Sequence, residues 1–180
     1  MSNTQTLTIA PAGTWELDAV HSSVGFEVEY MGGTFKGGFR EVAATLVVGD
    51  DAVSLQGSAK VASIDVKDEN LAGPLQSQDF LDAERYPTVQ FTAKDISLDG
   101  ETVKVDGDLT IKGVTREVTV EATVQGTGED PWGNQRAGIA VRGSIDRTDF
   151  DLTWQSRLAG GGLLVGEEVN LLLDLSAVAS

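Results

Sequence analysis

From Val103 to Ile111 the chain alternates. Val103, Val105, Leu109 and Ile111 share one face, and Lys104, Asp106, Asp108 and Thr110 share the other. A period of two marks a strand with one face buried and one face in water. After a short turn containing Gly113, Val118, Val120, Ala122 and Val124 alternate with Thr119, Glu121 and Thr123. Gly107 sits at an inward position where a bulky core residue is expected, which suggests a sheet wrapped around something other than its own side chains.

The same alternation runs along most of the chain. Trp15 and Leu17 open a strand, and Val24, Phe26, Val28 and Tyr30 alternate with Gly25, Glu27 and Glu29 before a turn at Met31-Gly32-Gly33. Val42, Ala44, Leu46 and Val48 follow, then a turn at Gly49-Asp50-Asp51. Val53, Leu55, Gly57, Ala59 and Val61 give way to Ile64 and Val66, a parity shift that predicts a bulge. Val89, Phe91 and Ala93 lead to Ile96 and Leu98, and Asp99-Gly100 signals a hairpin. Ile139, Val141 and Ile145 mark a later strand, and Val169, Leu171, Leu173 and Leu175 the last.

Residues 68–87 break the pattern. Leu71 and Leu75 are spaced for a helix, Ser77 is a candidate cap ahead of Phe80 and Leu81, and Pro74 forbids one continuous helix. Two short helical turns are expected there. The whole predicts an all-β fold: about eight strands in an up-and-down antiparallel barrel with a short helical lid, or alternatively a two-sheet sandwich. Small residues at inward positions (Gly57, Ala59, Ala93, Gly107, Ala122, Gly143) would leave volume inside a barrel of this size. Either an apolar guest occupies that volume, or large residues across the lumen fill it and the barrel is solid.

Composition narrows the function. The length of 180 residues suits one domain over 13–180 behind a flexible extension at 1–12. The net charge of −15, from 28 acidic and 13 basic residues, argues against nucleic-acid or anionic-membrane partners. Cysteine is absent, which removes disulfides and thiolate chemistry. Met1–Ala10 carries no basic residue and no signal-like apolar run, and no stretch is long and apolar enough to span a membrane as a helix, so the expected location is cytoplasmic.

Candidate chemistry is sparse. Asp18, His21 and Ser22 invite comparison with a catalytic triad, but no nucleophile elbow accompanies them, and a structural corner is expected instead. A single His without Cys does not make a usual zinc site, and Asp65, Asp68 and Glu69 lack calcium-loop spacing. Glu129–Asn134 reads as a turn whose Trp132 would cover a barrel end. Arg142, Arg147 and Arg157 flank the late strands; Arg147 is expected to pair with Asp146 or Asp149, the alternative being to hold a polar head group.

Several blocks together resemble the YceI-like family of bacterial lipid-binding proteins. They are Trp15-Glu16-Leu17-Asp18 with His21-Ser22, Leu75–Leu81 running into Tyr86–Phe91, Gly107–Thr115, Arg147–Phe150 and Val165–Val169. The resemblance spans about residues 13–176. It implies an extended, lipocalin-like eight-stranded barrel holding an isoprenoid chain, such as a polyprenyl compound or quinone tail, as a carrier or sequestering protein. It implies no catalysis and no cofactor beyond that lipid, frequent homodimers, and often a periplasmic or secreted address. Parity and resemblance together nominate Phe26, Val28, Tyr30, Leu55, Ala59, Phe91, Val105, Gly107, Leu109 and Val120 as lining residues, with Leu71, Leu75, Phe80 and Leu81 in the lid. The chain departs from the family pattern at Tyr30, where a His is common, at Leu71-Ala72-Gly73-Pro74, where Arg-Asp-x-His is usual, and at Gln76, where Arg is usual. These changes favour a less anionic or less polar ligand head. Two other readings remain: a solid-core stress or interaction protein without a ligand, and an enzyme acting on a bound amphiphile.

Overall fold

In the computed structural model, which describes residues 12–49, 52–99, 102–155 and 164–180, the alternating segments join into one antiparallel sheet. The strands are β1 (Gly13–Leu17), β2 (Ser23–Tyr30), β3 (Gly33–Phe39), β4 (Val42–Val48), β5 (Val53–Lys60) and β6 (Ile64–Val66). A short helix α1 (Ala72–Leu75) precedes β7 (Thr88–Asp99), β8 (Thr102–Ile111), β9 (Val114–Glu129), β10 (Gln135–Asp146) and β11 (Val165–Ala179). Hydrogen bonding runs β1–β4–β5–β7–β8–β9–β10–β11, and β11 returns to β1 through Trp15↔Ala179 and Leu17↔Ala177. These eight strands close a barrel, and that last ladder excludes the two-sheet sandwich. Closure also leaves the ring without a free edge.

One end of the wall is prolonged. There β2 pairs with β11 between Val165 and Asp174, β3 with β2, and β6 with β3. Strand β7 pairs with β5 only from Thr88 opposite Lys60, so the wall splits between β6 and β7 at this end. The connecting residues 67–87 form a lid there, with α1 packed against β6. Buried clusters occupy the two ends. Trp15, Leu46, Val48, Ala137 and Ala177 fill the end away from the lid, while Leu109, Ile111, Ile145 and Phe150 pack at the lid end.

Several local expectations change. Strand β3 was hidden because three of its seven residues are glycine, which lowers strand propensity. Gly37 is needed nonetheless: a Cβ there would lie 2.6 Å from Cζ of Phe26, its cross-strand partner. The parity shift after Val61 is a 3-10 turn at Val61–Ser63 rather than a bulge inside a strand. True register shifts fall at Ala93/Asp95, Gly138/Ile139 and Val165/Val169. In the lid, a 3-10 turn at Glu69–Leu71, capped by Asp68, runs directly into α1. Ser77 caps no second helix; its hydroxyl donates to the Pro74 carbonyl at 2.6 Å, behind α1. Residues 1–11 of the extension at 1–12, Asp50-Asp51, Gly100 and Arg157 lie outside the described residues.

Candidate ligand cavity

Between the two end clusters the barrel is hollow. The cavity has a volume of about 570 Å³ and a wall that is almost wholly apolar. Period-two strands explain the wall, because each sends alternate side chains inward. Phe26, Val28 and Tyr30 reach it from β2, Leu55 and Ala59 from β5, Phe91 from β7, Val105 and Leu109 from β8, and Val120 from β9. Leu71, Leu75, Phe80 and Leu81 close it from the lid.

Gly107 is the exception. It is buried but forms no part of the cavity wall. The Phe91 ring lies over it, so that an added Cβ would sit 2.5 Å from Phe91 Cζ and 2.6 Å from the Thr92 carbonyl oxygen. The absent side chain makes room for Phe91, not for a guest. Gly143 behaves alike, since a Cβ added there would stand 2.7 Å from Val120 Cγ1, whereas Gly57, Ala59 and Ala122 do face the lumen.

Sequence reasoning missed Phe35 and Phe39, which enter the wall from the unrecognised β3, and Trp154. Phe35 and Phe39 pack against Phe26 with ring centroids 6.4 and 6.0 Å apart. Trp154 meets Phe80 of the lid at 5.3 Å, joining the lid to the segment after β10. The lid itself is held from beneath. Asp82, in the left-handed region at φ 50°, is 2% exposed and accepts from Arg85 Nε at 2.7 Å, while its N–H donates to Ser77. Gln76 turns back to donate to the Ala72 carbonyl at 3.1 Å and does not line the cavity.

Arg147 is the single ionised side chain among the described residues of the wall. It follows β10 in a 3-10 turn at Arg147–Phe150 and is 7% exposed. Its expected carboxylate partners are otherwise placed. Asp146 accepts from the Thr148 N–H at 2.9 Å and from its hydroxyl at 2.6 Å, and Asp149 makes no ion pair with Arg147. Arg147 instead donates to backbone carbonyls: Nε to Gly166 at 2.8 Å, Nη2 to Val165 at 3.4 Å, and Nη1 to Leu152. Burial pushes its pKa down, though a guanidinium remains a cation. Gln155 fixes the neighbouring backbone with a two-way clasp on Val165. Arg142 pairs with Asp174 at 3.2 Å on the outside.

The far end is closed by charge. Arg136 donates to Asp18 at 2.8 Å and to Asp130 at 2.7 Å, and His21 Nδ1 lies 2.7 Å from Asp18. The Arg136 guanidinium, then His21, holds the Asp18 carboxyl well below the usual carboxylate range. Arg136 does the same to Asp130, which also gathers the N–H groups of Trp132 and Asn134. The Ser22 hydroxyl donates to the Asp18 carbonyl and accepts from the Ser176 N–H, so Asp18, His21 and Ser22 form a structural corner and not a triad. Trp132 is 80% exposed at the hairpin tip and does not cover the barrel end. Among the described residues no group of three or more His, Cys, Asp or Glu is placed to hold a metal.

Three comparisons locate this architecture among known proteins. A model of the YceI-like domain matches residues 15–177. Protein YceI of Escherichia coli O17:K52:H18 is 30% identical over 175 residues, covering 94% of this chain and 88% of the relative. The crystal structure of Burkholderia cenocepacia BcnA superposes with a TM-score of 0.75 at 26% identity, over 89% of this chain and 98% of that one. A polyisoprenoid binding domain from Saccharophagus degradans shares the fold, with a TM-score of 0.70 at 15% identity over 92% of this chain and 98% of that one. The match along nearly the whole barrel places this chain in the YceI-like family.

Proposed function

We propose that this chain is a non-catalytic binding protein that holds an isoprenoid-like lipid, a polyprenyl compound or quinone tail, in the barrel lumen as a carrier or sequestering protein. The observation that carries this reading is the lidded apolar cavity of about 570 Å³. That volume falls within the roughly 300–1,000 Å³ of ordinary small-molecule sites. An apolar void of this size would cost stability if it stayed empty and would not hold water well, so an apolar guest is its natural occupant. Burial of the chain drives binding, at about 0.8 kcal/mol for each CH₂ removed from water. Membership of the YceI-like family and the likeness to the Saccharophagus degradans polyisoprenoid binding domain support the same ligand class. Among its described residues the wall offers no carboxylate or imidazole for acid–base work on a bound amphiphile, which weighs against an enzyme.

Native mass spectrometry of purified protein, followed by solvent extraction, tests the proposal. A releasable apolar adduct, or uptake of geranylgeraniol or a quinone by lipid-free protein, supports it. Protein that is isolated empty and takes up neither would be the ligand-free stress or interaction protein instead.

A further inference from the structure

The cavity is chemically lopsided. Away from the lid its wall ends in Trp15, Leu46 and Ala177, all within an apolar cluster. At the lid end it carries Arg147, with Tyr30 on the strand position paired to Val165, whose carbonyl Arg147 also contacts. A guanidinium has five N–H donors, and three are directed to backbone carbonyls, which leaves two available. Those carbonyls orient the group but carry no counter-charge. Arg136, less deeply buried, has two carboxylates within ion-pair distance, whereas Arg147 has none among the described residues. Asp146 and Glu167 act on it only from farther off, and Asp146 is already engaged by Thr148. A buried cation without an anion beside it is costly unless something supplies one.

We infer that Arg147 anchors the polar end of the guest, and that the guest is a long-chain amphiphile with an anionic, acceptor-only head such as a carboxylate. The head sits beneath the lid and the chain runs towards Trp15. An acceptor-only anion fits because one N–H on each of Nη1 and Nη2 remains unmatched, and guanidinium–carboxylate pairing is the strong, directional form of that contact. A primary amine would bring a second cation to the same place. The inference rests on the lipid reading of the cavity and sharpens it. It also moves head-group recognition off the lid, where Gln76 is folded back on Ala72, to the turn that follows β10.

Lipid-stripped protein is titrated with three probes sharing one chain: geranylgeraniol, geranylgeranoic acid and geranylgeranylamine, by calorimetry at neutral pH. The acid is expected to bind about tenfold or more tightly than the alcohol, and the amine more weakly than either. Arg147→Met should abolish the preference for the acid, the ratio of acid to alcohol affinity falling to about one. Circular dichroism checks that this variant folds; if it does not, Arg147→Lys, which keeps the charge but not the fork, should retain a smaller preference for the acid. Wild-type protein that binds acid and alcohol equally overturns the assignment of Arg147 and leaves the lipid reading standing. Protein that binds none of the three overturns both.

Discussion

Replacing Gly107 with alanine adds one methyl group to the inner face of β8, and the structure says where it must go. The new Cβ would lie 2.5 Å from Phe91 Cζ and 2.6 Å from the Thr92 carbonyl oxygen. The ring can swing into the hollow lumen, which Phe91 already borders. The carbonyl cannot, because it belongs to β7, paired with β8 through Ala93↔Gly107 and Thr92↔Asp108. Overpacking of this kind typically costs about 1–3 kcal/mol. For a chain of this length each kcal/mol shifts the melting temperature by roughly 2–4 °C, so the variant should melt about 2–12 °C below wild type. Gly128→Ala provides the control in the same assay. It sits in β9 with nothing within 4 Å of its added Cβ, and its change should be neutral or stabilising by up to about 1 kcal/mol. Thermal unfolding by circular dichroism on lipid-free protein reads both. Equal melting temperatures for Gly107→Ala and wild type would show that the Phe91–Gly107 contact is not the one described.

Ala122→Phe, from a small position in the cavity wall, should fill lumen volume and abolish lipid uptake while the protein still folds; unchanged affinity by calorimetry would put the site elsewhere. Phe80→Ala removes the contact with Trp154, and with an aromatic pair worth about 0.5–1.5 kcal/mol the bound lipid should leave several-fold faster in stopped-flow fluorescence. The depressed folded-state pKa values of Asp18 and Asp130 mean that their contribution to stability is present above the unfolded carboxylate value of 3.8 and is lost as pH falls below it. Melting temperatures should therefore drop as pH falls from about 5 towards 2, most steeply below the unfolded carboxylate value, and Arg136→Gln should flatten that drop; parallel curves would remove Arg136 as its source.

Much of the barrel could be read from the chain because its signal is local. Alternation along β2, β8 and β9 assigns each residue to a face without reference to any other strand, and that parity placed Phe26, Val105, Leu109 and Val120 on the lumen side. Glycine defeats the same logic twice. In β3 it masked a strand, and in β8 it looked like vacant lumen, because a missing side chain does not reveal what fills its place. The lid was legible as a break in period, but N–H groups of Leu81, Asp82 and Ala83 donating back to the carbonyls of Leu75, Ser77 and Gln76 replaced the second helical turn that Ser77 suggested.

By itself, the alternation determined an all-β chain, the inward face of most strands and the apolar character of the lumen, since these depend on neighbours one or two residues away. Only the tertiary structure decided that β11 closes on β1, that the Phe91 ring covers Gly107, and that Arg147 turns to the carbonyls of Leu152, Val165 and Gly166 instead of to Asp146 or Asp149. Each of these joins groups that the backbone brings together only once the barrel has closed. No period along the chain encodes which partner a side chain will meet there.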